Sequence, residues 1–324
     1  MTAAKQENKL RLWGGFSAVA SIFLLLLLIK NSELAYREVR DALKTCSEML
    51  IPSLFPLMVA SEIATETGAL ERVGRPLLRP ISRLFGISES ATVPFLLGIV
   101  GGYTTSCTSA TLLFERGKIG RRECESIIAL SSMPSLAFLC SLVGSSFFKS
   151  STVGWIIWGI TIASSLLCGI FNRAFSSSKK IPIDTFQPQA ANKKSFPSII
   201  IHAIIHSAGA MLTVCATVVF FSVLIDVSKF AIAELGIPNL PAEVLLGTLE
   251  ITHAAGFAAS VENRAFALML AAFYIGWSGL SVHFQIIALC EGHGLSFKRY
   301  FILKATCAVI SAALMAVAVW LFRP

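Results

Sequence analysis

Glu250 and His253 stand three residues apart in Leu245-Leu246-Gly247-Thr248-Leu249-Glu250-Ile251-Thr252-His253-Ala254, a stretch that is otherwise mostly apolar. On a helix that spacing puts a carboxylate and an imidazole on one face, where the pair can hold or pass a proton near neutral pH. The alternative is a structural hydrogen-bonded pair that steadies the segment. Ionisable side chains at membrane depth are costly, so each calls for a role and a partner. The stretch also breaks into glycine and hydroxyl residues where a membrane helix should continue. Leu96-Leu97-Gly98-Ile99-Val100-Gly101-Gly102-Tyr103-Thr104-Thr105 repeats that pattern in the first half of the chain. A second pair of breaks follows, Ser132-Met133-Pro134-Ser135 and Ser278-Gly279-Leu280-Ser281. Glycine- or proline-interrupted apolar segments in matching positions of two halves point to a secondary transporter's central site.

The polar groups around these breaks are Tyr103, Thr104, Thr105, Ser106, Ser131, Ser132, Ser135, Thr252, Ser278, Ser281, His283 and Gln285. Hydroxyls donate and accept, so they can replace water around a polar solute, and glycines beside them let backbone approach. Broken helices also present free N–H groups whose positive ends favour anions. With no arginine placed in the core, an anionic solute would depend on those N-termini and on a protonated histidine. The competing reading is that serine and glycine only mark close helix packing, which is common in membranes. Glu62, a third candidate for coupling beside Glu250 and His253, is either a midmembrane ligand or an interfacial residue. Asp226 lies near the outer end of its helix and reads as interfacial. His202 and His206, four apart, predict an amphipathic surface helix over 199–207. With no third ligand near them in sequence, no metal is expected there.

The chain that must position these groups has 324 residues, of which 55% are hydrophobic and 14% charged. A soluble domain carries about a quarter charged residues, so this composition places most of the chain in lipid. Apolar runs at 12–29, 152–171, 213–227 and 305–322 approach the roughly 20 residues that cross a bilayer core. Lys5, Lys9 and Arg11 precede the first run, and no small-x-small cleavage site follows it, so it reads as an uncleaved membrane helix. The net charge of +8 resides in short loops, with no basic stripe interleaved with aromatics that would suit nucleic acid. The eight cysteines show no CxxC and no metal-ligand spacing, and read as small apolar residues. No GxxxxGK[ST] loop, Ser–His–Asp order or metal-ligand helix appears, so neither an ATP-driven pump nor an enzyme is expected.

The basic clusters are Lys5/Lys9/Arg11, Arg72/Arg75/Arg79/Arg83, Arg116/Lys118/Arg121/Arg122, Arg173/Lys179/Lys180/Lys193/Lys194 and Lys298/Arg299/Lys304. Other connections are poor in net positive charge, including 30–44, whose bases are balanced by Glu33, Glu38 and Asp41. Placing the clusters in the cytoplasm makes 92–114 enter and leave from inside, and 242–260 from outside. Each is then a re-entrant or broken hairpin, and the two face opposite ways; the alternative is two loosely packed crossing helices. Spanning segments flank them at 46–69, 124–148 and 152–171, then at 207–228, 264–290 and 300–322. The halves read as inverted-topology repeats, the arrangement that opens one site alternately to either side. The Ser-, Pro- and Lys-rich stretch 176–194 reads as a flexible cytoplasmic linker.

Pro52-Ser53-Leu54-Phe55-Pro56 with Ser61-Glu62, the Gly101-Gly102-Tyr103 break, Glu250-Ile251-Thr252, and Trp277-Ser278-Gly279-Leu280-Ser281-Val282-His283-Phe284-Gln285 resemble the YlbJ sporulation integral membrane proteins. The resemblance runs from about residue 43 to the C-terminus. It implies two nucleoside-recognition or gate repeats, distantly similar to concentrative nucleoside transporters and ferrous-iron permeases. It also implies movement of dipicolinate across the outer forespore membrane. This chain departs from the family where Tyr103 is followed by Thr104-Thr105-Ser106-Cys107, and where Ser131-Ser132-Met133-Pro134-Ser135 replaces an Asn-rich, Gly-Pro break.

The expectation is therefore an all-α polytopic membrane protein of two inverted repeats. An N-terminal membrane helix (1–35) precedes the first repeat (43–175), a linker (176–196) and the second repeat (197–324). Its expected function is secondary transport of a small polar, anionic or aromatic solute, coupled to H+ or Na+ without a bound cofactor. Its partners would be that solute and the lipid bilayer, with no nucleic acid and with a homo-oligomer left open. It would reside in the cytoplasmic membrane, or the outer forespore membrane of a spore former, with its N-terminus cytoplasmic. The alternatives are a carrier of nucleosides or other small solutes, and a non-transporting scaffold for envelope or spore assembly.

Overall fold

The computed structural model describes residues 18–19, 21–67, 78–174, 195–234, 236 and 239–322. Residues 1–17 with the first basic cluster, Arg72 and Arg75, and the linker 176–194 lie outside the described residues. Within them every regular element is a helix. The first is α1 (Ser21–Lys30). Then α2 (Ser32–Thr45) runs through a π-helical turn, Cys46–Leu50, into α3 (Ile51–Glu66). The turn widens just before Pro52 because that proline has no N–H for the preceding turn and its ring crowds it. The stretch 30–44, expected as a connection, is thus the first half of one long helix. Its balanced charges instead pair along its surface, as Arg37 does with Glu33 at 2.5 Å.

The first repeat continues with α4 (Leu78–Phe85), bent by 108° from α5 (Glu89–Gly101). It then forms α6 (Tyr103–Glu115), α7 (Arg121–Ser131), a π-helical stretch Phe138–Phe147, and α8 (Ser151–Ala174). The second begins with α9 (Phe196–Glu234) and proceeds through α10 (Asn239–Leu246), α11 (Ile251–Ser260), α12 (Arg264–Trp277) and α13 (Leu280–Leu289) to α14 (Phe297–Phe322). At 39 residues, α9 is about 58 Å long. The separate surface helix expected at 199–207 is therefore its first turns, laid against α3. The spans expected at 124–148 and 264–290 are each interrupted, at 132–135 and at 278–279.

The segments 92–114 and 242–260 fold back on themselves. Each leg of the first hairpin has 13 residues, or about 20 Å, which falls short of a bilayer core of about 30 Å. A Cβ on Gly98 would lie 3.2 Å from that of Ser106, eight residues on, and 2.3 Å from the carbonyl oxygen of Ser131. Only glycine lets these backbones meet. In the second hairpin His253 reaches back across the turn to Glu243, at 3.2 Å.

The two repeats have the same order of elements, and their corresponding helices pair antiparallel. On α3 and α9, Glu66 meets His202 and Glu62 meets His206, while Cys46 meets the carbonyl of Cys215. On α8 and α14, Ser164 bonds Ser311 at 2.8 Å and Asn172 bonds Arg299. The inner leg of each hairpin packs on the other repeat, α6 on α13 and α11 on Phe138–Phe147. Arg83 and Arg173 meet at one end of this bundle. Glu115 with His293, and Arg121 and Glu125 with the turn at 294–296, gather basic loops of both halves. Lys149, Arg264 and the tip of α11 lie at the other end, where Arg264 covers the ring of Phe148. Lys304 is the exception: it is 3% exposed, inside the bundle rather than in the surface cluster.

Gly98→Ala should lower the thermal stability of the detergent-purified protein by about 1–3 kcal/mol, because the added methyl meets backbone that cannot retreat. Gly159→Ala, with open space at its Cβ, should leave it unchanged. A second test concerns His293, whose pKa is raised by its hydrogen bond to Glu115. That pair contributes fully below the unfolded value of about 6.5, and its contribution is lost as pH rises through the higher native value. Glu115→Gln should remove this small pH dependence, worth under about 1 kcal/mol, in melting curves taken between acid and neutral pH.

Candidate functional site

Each of the four helix breaks is shaped by a local requirement of its sequence. Gly102 separates α5 from α6 with φ +84° and ψ −172°, a conformation that costs residues with a Cβ. Its missing side chain also lets the backbone of Ser135 approach, since a Cβ would stand 3.1 Å from Ser135 N. The second break begins at Ser132, whose carbonyl leaves the helix (ψ 75°). Pro134 has no N–H to continue the ladder, and the Ser135 hydroxyl caps Phe138 N at 3.3 Å. The third runs from Gly247 to Glu250, which is extended (φ −142°, ψ 130°). The fourth is formed by Ser278 and Gly279, both with positive φ (78° and 79°).

The breaks of each repeat lie against one another. Leu280 N donates to the carbonyl of Thr248 at 3.0 Å, and Ser281 N to that of Leu249 at 2.9 Å. Gly279 touches the backbone of Glu250 and Ile251, where a Cβ would come within 2.9 Å of Ile251 N. Two indoles add to this: Trp277 donates a second hydrogen bond to the Thr248 carbonyl at 3.0 Å, and Trp158 donates to that of Ile99 at 3.3 Å. Tyr103 then links the repeats by donating to Gln285 Oε1 at 2.8 Å.

These interruptions enclose a cavity of about 60 Å³. Its polar lining is Tyr103, Thr104, Ser135, Glu250, Thr252, Ser281 and Gln285, and Leu50, Leu54 and Met58 of α3 with Val214 and Val218 of α9 close it. The N-terminal turns of α6, α11 and α13 all reach the cavity; those of α11 and α13 are capped by the Glu250 carboxylate and the Thr248 and Leu249 carbonyls, so the N–H groups left to it are those of α6. A second cavity of about 290 Å³ adjoins it, sharing Met58, Thr104 and Gln285. Thr105, Thr108, Glu62 and His206 line this side space.

The other expected site residues are elsewhere. Ser106 and Ser131 bond each other in the α6–α7 seam, and Ser132 bonds back to the Ile128 carbonyl. Ser278 is buried as the C-cap of α12, bonded to the Ile275 carbonyl at 3.3 Å. His283 is fully buried, 2.6 Å from the Tyr300 hydroxyl and edge-on to Trp277; its Nε2 finds no hydrogen-bond partner among the described residues.

The side-chain pair expected between Glu250 and His253 does not form. Glu250, 1% exposed, turns back to cap α11 and accepts the backbone N–H of His253 at 2.7 Å. Being extended, it stands outside the helix whose spacing would have paired the two. The His253 imidazole pairs instead with Glu243, which holds Lys229 at 2.9 Å, and Lys229 reaches Asp226 at 3.4 Å.

Sequence reasoning missed Lys304. Its ammonium donates to the Ser132 carbonyl at 2.7 Å, at the C-terminal end of α7 where a cation complements the helix dipole. The signal was its depth: Lys304 lies seven residues into α14, too far along an apolar helix for a loop charge.

Two antiparallel halves, each with a hairpin of short helices and an interrupted helix, make up an all-α polytopic membrane protein. By length and composition five helical stretches among the described residues (α12 and α13 counted as one), or six with the bent α4–α5 pair, can cross a bilayer. The chain is similar to the sporulation integral membrane protein YlbJ of Bacillus subtilis, with 23% identity over 330 aligned positions that cover 91% of this chain and 80% of that protein. The YlbJ-like resemblance read from the motifs therefore extends over nearly the whole chain. No protein-family profile matches it, and no solved structure does.

Glu250→Ala should cost about 0.5–2 kcal/mol of thermal stability through loss of the α11 cap. Glu250→Gln, which keeps an acceptor oxygen, should cost clearly less. Equal losses would mean that the cap is not what holds this carboxylate in place.

Proposed function

We propose that the protein is a secondary carrier for a small polar anion, bound among the four helix breaks and exposed alternately to the two sides of a membrane. The observation that carries this reading is the convergence of all four interruptions on one cavity between antiparallel repeats. The N-terminus of α6 supplies N–H donors for carboxylate oxygens, Tyr103, Thr252 and Ser281 supply hydroxyls, and Lys304 puts a positive charge behind the Ser132 break. Glu250 is the proton-accepting group, because it is the carboxylate on the cavity wall. The cavity is narrow in this state, so a solute as large as dipicolinate enters when the hairpins part from α3 and α9. Dipicolinate, a rigid aromatic dicarboxylate, heads the candidate solutes because of the likeness to a sporulation protein. The end that gathers Arg83, Arg121, Arg173 and Arg299 faces the cytoplasm by the positive-inside rule.

The test is uptake by proteoliposomes of labelled dipicolinate, nucleosides and small carboxylates under imposed proton or sodium gradients. A substrate should accumulate in response to the proton gradient. Glu250→Gln should abolish that response while folding normally, and Ser281→Ala should weaken uptake at least about tenfold. Uptake that ignores both substitutions would refute this site. Failure of the whole panel to be transported or to shift the melting temperature would favour a scaffold role.

A further inference from the structure

Glu62 and Glu66 stand one turn apart on α3, and His202 and His206 one turn apart on α9. The antiparallel packing of the two helices sets the pairs opposite each other, with His202 Nδ1 2.5 Å from Glu66 Oε1 and His206 Nδ1 3.5 Å from Glu62 Oε1. One ligand atom from each of Glu62, Glu66 and His202 lies within 4.8 Å of the others. In a tetrahedral shell with bonds of about 2.0–2.1 Å, ligand atoms stand about 3.3 Å apart, so small side-chain rotations complete the set. We infer that Glu62, Glu66 and His202 bind a divalent transition-metal ion of the zinc class across the α3–α9 seam, with His206 holding Glu62 in position.

The donor set selects the ion. Two carboxylates and an imidazole suit zinc and its neighbours, whereas calcium and magnesium favour shells made of oxygen alone. The carboxylates cancel the ion's charge, which limits the cost of holding it beside apolar helices. The imidazoles of His202 and His206 lie parallel, 5° apart and 6.2 Å between centroids, so both direct Nδ1 at α3. A second observation supplies access. Glu62 and His206 reach the side cavity of about 290 Å³, which has room for water in a fourth ligand position and for an ion to enter. A bound ion would pin α3 to α9 beside the route from that cavity to the central one, and the site stands whether or not the protein carries a solute.

The experiment is calorimetric titration of Zn²⁺ into the full chain, purified in detergent and stripped with chelator. One ion per chain should bind and raise the melting temperature, as ligand linkage requires. His202→Ala and Glu66→Gln should each weaken binding at least about tenfold, with melting curves in chelator like the wild type. His293→Ala, far along the chain in the turn after α13, should bind normally. Co²⁺ in place of zinc should give visible ligand-field bands without a thiolate charge-transfer band, which separates this site from the free cysteines. Absence of saturable binding, binding unaffected by His202→Ala and Glu66→Gln, or a thiolate signature would each overturn the assignment.

Discussion

Every interruption of a helix inside an apolar bundle leaves N–H and C=O groups that lipid cannot satisfy, and the protein must satisfy them itself. Here that requirement joins break to break. After the fourth interruption, the N–H groups of Leu280 and Ser281 donate to the Thr248 and Leu249 carbonyls of the third. The first and second meet at Gly98, Gly102 and the backbone of Ser131 and Ser135. Trp158, Trp277, Lys304 and the Glu250 carboxylate take up further carbonyls and N–H groups. The central cavity is what remains between these contacts once α3 and α9 close over them.

The same accounting explains the buried charges. Lys304 is stable at depth because it meets a carbonyl at a helix C-terminus, and Glu250 because it meets N–H groups at a helix N-terminus. His253 faces the Asp226–Lys229–Glu243 network, so its charge is managed at the edge of the second hairpin rather than at the cavity. The result places a carboxylate on the cavity wall and an ammonium behind it.

The antiparallel pairing of α3 with α9 and of α8 with α14 relates the two repeats, and each hairpin leans on the opposite repeat. Movement of one repeat against the other would therefore shear the α3–α9 seam and the α6–α13 contact together. Tyr103–Gln285 and the Glu/His pairs of α3 and α9 are among the polar connections across those seams. The likeness to YlbJ covers 91% of this chain and so runs through both repeats.

Much of this was legible in the sequence because it depends on local patterning. Apolar runs, short basic loops and glycine followed by hydroxyls dictate helices, breaks and the two hairpins wherever they are packed. Depth and partners are not local properties. Whether Lys304 belongs to a loop or a core, or whether Glu250 pairs with His253 or caps a helix, depends on a carbonyl or backbone conformation that spacing does not encode. His202 and His206 lacked a third ligand in sequence because Glu62 and Glu66 lie more than a hundred residues away. The sequence by itself determined the apolar helices and the four polar breaks within them, though not that 30–44 is helical. Only the tertiary structure decided which polar groups share a cavity, because that follows from antiparallel packing of two halves and from the need to pair every broken backbone group inside the protein.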